Sequence, residues 1–376
     1  MLLLSLMLSS TVWAEDSATL PRGVFRARLK PVYAAKIKSQ FGETRHAVGL
    51  LNKFEKELDV SMAAKLNPQL AGAMNVFGIA SLGKFDPSLE LSTLVLGSAV
   101  EYGLTENLTV GTIIPLITAN TAIDLKFMKS DAAKNHPAFR NQDFVKAAEQ
   151  VAVSKGYHSF ENWDRTGLGD VELGLKYRFL NSQTWAMAAK TGIRFPTGKT
   201  EDPNHLTDIG FGDGQYDTAA ALLLDYKGIP NIVLSSLTKY TLQFPDHQIL
   251  RVPDEGELFT SNMENIKRDL GDLFEAAFYA EYTFFKLLNV NASTQYFSKR
   301  KDNYKSTLDF NTGGLEKNTN QMKLAVDMGV GFTTIPWFKE GFFSFPMDIG
   351  FNVQLPITGQ NIVKATTANL EYKLYF

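Results

Sequence analysis

Apolar and polar residues alternate one for one through long stretches of this chain. In "DVELGLKYRF", Val171, Leu173, Leu175, Tyr177 and Phe179 fall on one face, with Glu172, Lys176 and Arg178 opposite. Successive strand side chains point to opposite faces, so the pattern predicts strands with one apolar and one charged side. "WAMAAKTGIRF" sets Trp185, Met187, Ala189, Ile193 and Phe195 against Lys190 and Arg194, and "YDTAAALLLDY" sets Tyr216, Leu222, Leu224 and Tyr226 against Asp217 and Asp225. "FEAAFYAEYTF" places Glu275 and Glu281 behind Phe274, Phe278, Tyr282 and Phe284. "MKLAVDMGVGF" places Lys323 and Asp327 behind Met322, Leu324, Val326, Met328 and Phe332. In "FSFPMDIGFNVQL" the apolar face runs from Phe343 and Phe345 through Met347, Ile349, Phe351 and Val353. The closing "ATTANLEYKLYF" repeats the design, with Leu370, Tyr372, Leu374 and Phe376 on one side and Asn369, Glu371, Lys373 and Tyr375 on the other.

Aromatics mark both ends of these apolar faces, as in the pairs Trp185 and Phe195, Tyr216 and Tyr226, Phe274 and Phe284. A soluble sandwich would hold its large residues mid-strand, whereas aromatic girdles at strand ends suit the two interfaces of a bilayer. Short connections at 104–107, 181–184, 227–231, 285–289 and 336–341 alternate with long ones at roughly 42–87, 120–167, 198–214, 246–271 and 301–320. Tight turns on one side and long loops on the other predict an all-β, antiparallel, transmembrane outer-membrane barrel. About twelve strands are expected, at 25–41, 89–103, 108–119, 168–180, 185–197, 215–227, 231–245, 272–285, 289–300, 321–335, 342–356 and 362–376. Both termini then lie on the periplasmic side, and Tyr372, Leu374 and Phe376 read as a terminal assembly signal for the barrel-assembly machinery.

Composition adds limits. The chain has 376 residues, a net charge of -2 and no cysteine. The near-neutral balance gives no electrostatic reason to expect nucleic acid. Thiol chemistry and thiolate metal sites are excluded, and no segment reaches the roughly 20 apolar residues of a spanning helix. "MLLLSLMLSSTVWAED" has an apolar core followed by small residues at Val12 and Ala14, which reads as a signal peptide over 1–14. It lacks a Lys or Arg near Met1, and a buried amino-terminal helix is the competing reading. Residues 15–376 then form one barrel domain.

The polar faces supply an expected lumen lining. Arg26, Arg28, Lys30, Lys36 and Lys38 of the first strand face inward, opposite Phe25, Ala27, Leu29, Tyr33 and Ile37. Glu101, Glu172, Lys176, Arg178, Lys190, Arg194, Asp217, Asp225, Glu275, Glu281, Lys323, Asp327 and Glu371 complete the set. Two arrangements fit: basic and acidic walls facing each other across water, or charges paired across a narrow lumen that they close. Loop 42–87 is unusually apolar. Leu50, Leu51, Phe54 and Leu58 share one helical face in "GLLNKFEKELDV", and Met74, Val76, Phe77 and Ile79 follow. The segment reads as loop packing or as a lid that captures hydrophobic molecules through Leu50, Phe54, Leu58, Met74, Val76, Phe77 and Ile79. Loop 120–167 contains a second helical stretch, "DFVKAAEQVAVSKGYHSF". The aspartates of "GLGD", "FGDG" and "DLGD" (Asp170, Asp213 and Asp272) read as turn residues, with a calcium ring as the alternative.

"EYGLTENLTVGTIIPL", "GLGDVELGLKYRFL", "GIRFPTGKTEDP" and "GFGDGQYDTAAALLLDY" resemble an outer-membrane family named for the phenol meta-degradation pathway. That family is itself similar to the long-chain fatty-acid transporter type. The resemblance covers residues 98–228 best and implies a barrel that passes small hydrophobic or amphipathic molecules without a cofactor. Its partners would be the bilayer, lipopolysaccharide and the solute. A structural or partner-binding barrel with a closed lumen is the alternative. All five histidines fall in expected loops, so catalysis has little to stand on beyond His158–Ser159 or a meeting of His205 with Asp208.

Overall fold

The structure is a computed structural model that describes residues 16–254 and 256–376. The expected signal peptide at 1–14 lies outside the described residues. Twelve strands close into an antiparallel barrel: β1 Phe25–Ile37, β2 Ser81–Thr105, β3 Leu108–Lys129, β4 Val171–Asn181, β5 Trp185–Phe195, β6 Asp217–Ile229, β7 Ile232–Gln243, β8 Leu273–Phe284, β9 Leu288–Lys299, β10 Gln321–Thr333, β11 Met347–Gln360 and β12 Thr367–Tyr375. Closure is made by β1, in which Arg26 lies opposite Glu101 of β2 on one side and Tyr375 of β12 on the other. Two short strands, Glu57–Asp59 and Trp163–Leu168, extend this sheet beyond the barrel wall.

The strands form where the alternation predicts them, because a closed barrel satisfies every backbone group while dividing side chains between lipid and lumen. Outward positions stay uncovered: Tyr177, Ile193, Leu222, Phe278, Met328 and Val330 are all exposed. Their inward neighbours Lys176, Asp217, Asp225, Lys323 and Asp327 are buried. At the short-turn end Trp185 and Tyr226 lie opposite each other on neighbouring strands with ring centroids 4.7 Å apart. At the other end of the same strands Phe195 meets Tyr216 at 6.0 Å.

Four departures from the expected elements have local causes. β1 carries a bulge between Ala34 and Ile37, with Lys36 at a φ of 55°. A bulge inserts one residue and reverses the facing of the residues beyond it. Ile37 is therefore buried, while Lys36 and Lys38 are exposed and Lys38 pairs with Glu90 at 2.9 Å outside the lumen. The inward assignment of Lys36 and Lys38 is thus corrected.

β2 and β3 continue as a hairpin past the expected loop boundaries at 87 and 120, pairing from Gly83 and Lys129 to Thr105 and Leu108. The upper part of β3 pairs with Trp163–Leu168, and only Leu108–Ile113 pairs with β4. The chain bends between these two partners at Gly169, where a Cβ would lie 2.9 Å from both Ile117 and Pro115 side chains. Finally, β11 begins at Met347, so Phe343 and Phe345 sit in the preceding turn, after a short helix at Ile335–Lys339.

The long connections fold into a layer at the end of the barrel opposite the short turns. It includes helices α1 Val60–Leu66, α2 Pro68–Val76, α3 Asp131–Asn135 and α4 Phe144–Ser154. Each starts on a side-chain cap: Asp59 accepts from the Met62 N–H, Asn67 from Gln69, Ser130 from Ala133 and Asp143 from Lys146. "GLLNKFEKELDV" is not one amphipathic helix. It forms a single 3-10 turn at Asn52–Phe54 and the strand Glu57–Asp59.

Candidate functional site: the barrel lumen

Several charged side chains of the wall pair with those on neighbouring strands. The Arg26 guanidinium donates to both oxygens of Glu101, from Nε at 2.6 Å and Nη2 at 2.8 Å. Arg28 reaches the same carboxylate at 3.2 Å and Glu371 at 3.7 Å, and Lys373 meets Glu371 at 3.2 Å. On the far wall Arg194 bridges Glu172 and Asp217, 3.0 Å from each, and Lys239 meets Glu275 at 2.9 Å. Gln354 joins Lys323 to Asp327, donating to the carboxylate at 2.9 Å while its carbonyl accepts from Lys323 at 3.4 Å. Lateral pairing comes from register, since inward side chains on adjacent strands at one height are the closest available partners. It leaves the middle of the lumen open.

That middle is a cavity of about 1350 Å³, counting space open to solvent. Glu101, Glu172, Lys176, Lys190, Arg194, Asp217, Glu275 and Lys323 of the expected set all border it, joined by Lys239. The wall between them is hollowed by small residues, Gly111, Gly174, Gly192, Ala219 and Ala221. Lys30 is buried at the first strand, Glu281 is half-buried on β8, and Arg178 donates to the Glu106 carbonyl at the short-turn rim.

Segments from outside the twelve strands enter both ends of the lumen. At the short-turn end, residues 16–23 enter the barrel. Ser17 is fully buried and donates to Asp225, while Lys176 donates to the carbonyls of Asp16 and Ala18 at 3.1 and 3.3 Å. Leu20 N–H donates to the Thr109 hydroxyl at 2.8 Å, and Gly23 N–H to the Gly103 carbonyl at 2.8 Å. Gly103 allows this approach, since a Cβ there would collide with the Pro21 carbonyl. At the loop end the inward residues turn apolar. Val32, Leu91, Val95 and Ile117 pack against Leu50, Leu51, Trp163, Ile209 and Phe211, which descend from the loops as a stopper.

The expected capture residues do not converge. Leu50 belongs to the stopper, and Phe54 packs against it. Leu58, Met74 and Ile79 are buried in a separate cluster under α1 and α2. Val76 is 79% exposed, and Phe77 contacts His136 and Phe139 at the surface. Sequence does not single out Leu51, Trp163, Ile209 and Phe211 as lumen residues, although the apolar run flanking Leu51 hints at the first. Asp170, Asp213 and Asp272 do more than shape their own turns. Asp170 accepts from Gly198 N–H at 2.9 Å, Asp213 from the Gln243 amide at 3.4 Å, and Asp272 from Gln243 N–H at 3.2 Å, tying successive hairpins together at the rim. Asp208 is held by Arg165 at 3.1 Å, and His205 Nδ1 meets the Thr207 hydroxyl at 3.1 Å, so the two do not form a catalytic pair.

At the closing strand, Tyr372, Leu374 and Phe376 are exposed on the lipid face, and Phe376 exchanges backbone hydrogen bonds with Phe25 at 2.9 and 3.1 Å.

A closed twelve-strand barrel with an apolar outer face and a polar lumen defines the outer-membrane β-barrel class of protein. The chain belongs to the family described as "Putative MetA-pathway of phenol degradation", which it matches over residues 89–372. No curated protein matches it in sequence. An outer membrane channel of Pseudomonas putida F1 is similar in fold, with a TM-score of 0.57 at 12% identity, covering 97% of this chain and all of that one. The toluene transporter TbuX of Ralstonia pickettii aligns over 96% of this chain and 92% of its own, at 12% identity and a TM-score of 0.39.

Proposed function

We propose that this protein is a passive uptake channel for small hydrophobic or amphipathic solutes, at rest with both ends of its lumen obstructed. The observation that carries the reading is the sequence of environments along the axis: apolar stopper, cavity of self-paired charges, amino-terminal segment. An apolar stopper made of loop side chains yields to a hydrophobic solute at little cost, because contacts with Leu50, Leu51 and Phe211 are exchanged for similar ones. It opposes ions and strongly hydrated solutes, which lose their water there. Beyond it, wall charges already neutralised by neighbours give amphipathic molecules hydrogen-bonding groups without a strong net field.

No cofactor is required. The bilayer would bound the barrel, the projecting β2–β3 hairpin would meet lipopolysaccharide, and the terminal strand would be read by the barrel-assembly machinery. Obstruction at both ends also favours a second reading, a structural or partner-binding barrel. The two separate in intact cells. N-phenyl-1-naphthylamine brightens once it passes the lipopolysaccharide leaflet, and cells producing the protein should show faster brightening than cells without it. Equal rates, with no single-channel conductance of the refolded protein, would leave only the structural reading.

A further inference from the structure

Above the membrane the loops enclose a second recess, separate from the lumen. Phe54, Phe85, Leu125, Val145, Phe160 and Phe259 line it, contributed by the 3-10 turn, the β2–β3 extension, α4 and two further loops. Its volume is about 580 Å³ including the mouth. The one charged residue among the described lining residues is Lys126, whose Nζ lies 2.7 Å from Asp124 on the exposed side of the hairpin.

Segments this far apart in sequence bury their apolar faces against one another, and well-packed interiors leave few voids larger than a water. Here they stop short and hold an apolar hollow open to water, which is the usual form of a ligand site. The recess also adjoins the lumen, because Leu51 borders it and at the same time packs within the stopper.

We propose that this recess binds one uncharged, compact hydrophobe of one or two rings, as the entry site of the uptake route. This rests on the uptake reading. The walls determine the class. Apart from Lys126 they offer side chains without donors or acceptors, so a carboxylate or polyhydroxylated solute would lose hydration with nothing in return. Phe160 and Phe259 stand 5.7 Å apart at 35°, a tilted pair against which a planar ring can pack.

The test uses the full chain in lipid nanodiscs and fluorobenzene as probe, read by 19F NMR against empty nanodiscs. Wild type should show a saturable shift that 4-fluorobenzoate does not reproduce. Val145→Trp fills the recess and Val145→Glu charges it; each should weaken binding by at least about tenfold. Val153→Trp, on the same helix at a position 47% exposed, should bind as wild type. Heat-modifiable gel migration confirms that each variant is a folded barrel. A saturable shift that survives in both folded Val145 variants overturns the proposal, as does its absence from wild type or equal binding of 4-fluorobenzoate. Faster naphthylamine entry without saturable fluorobenzene binding overturns the recess and leaves uptake standing. Saturable binding lost in the Val145 variants, without faster entry, upholds the recess and removes the uptake reading.

Discussion

Ser17 directs both its backbone N–H and its hydroxyl at one oxygen of Asp225, at 2.9 and 2.5 Å, across 208 positions of sequence. A wall carboxylate on β6 thereby holds the segment that fills the short-turn end of the lumen. A hydrogen bond to a charged group contributes about 1.5–3 kcal/mol. Asp225→Ala should free the segment part of the time and raise single-channel conductance about twofold or more. Removing residues 16–22 sets the upper limit. Conductance unchanged in both variants would show that this segment is not the constriction.

Glu101 is the shared acceptor of Arg26 and Arg28 at the seam where the barrel closes. Glu101→Gln removes the carboxylate that Arg26 and Arg28 share and leaves Arg28 with Glu371 alone. The barrel should lose about 2–3 kcal/mol. Urea titration of the heat-modifiable band should show an earlier midpoint, while Lys38→Gln, outside the lumen, should not move it.

Arg251 clamps the loop layer. It donates to the carbonyls of Lys155, Gly156 and Thr260 and to Asn204 Oδ1, with its guanidinium 4.0 Å above the Tyr157 ring. Arg251→Ala strands these acceptors and should cost the loop layer about 3 kcal/mol. Limited proteolysis should then cut near residues 155–160 while the barrel core survives. Resistance equal to wild type would argue against the clamp.

His205 lies outside the membrane, and burial holds it below the ordinary imidazole value. His158 adds to that effect, while Asp208, Glu161 and Asp202 oppose it. The folded loop thus prefers neutral His205. Its contribution is fully present above the unfolded value of about 6.5 and is lost as pH falls through the lower folded value. Protease protection of residues 202–208 should weaken on acidification below pH 6.5, and His205→Gln should flatten that dependence. An identical pH profile in the variant would remove His205 as the cause.

Phe376 is 69% exposed on the lipid face, yet its backbone is already paired with Phe25. Phe376→Ser should therefore lower the amount of barrel assembled in cells while leaving the melting of assembled barrel near wild type. A reduced melting temperature at normal yield would mean that the side chain acts by packing instead.

The twelve strands, their facing and the aromatic girdle were legible in the sequence, because period-two alternation is written residue by residue and the bilayer enforces it along each strand. Tertiary structure decided the rest. A single bulge at Ala34–Ile37 moved Lys36 and Lys38 out of the lumen, and the alternation gives no sign of it. Arg26 and Glu101 meet through a register set 75 positions apart, so no local pattern could select lateral pairing over pairing across the pore. The stopper residues Ile209 and Phe211 come from a segment without a period and Trp163 from a short strand outside the twelve, and their place is fixed only when a closed wall gives them an interior to fill. Residues 16–23 show no pattern that marks them as lumen residues; Asp225 on β6 and Lys176 on β4 hold them inside once the barrel is closed.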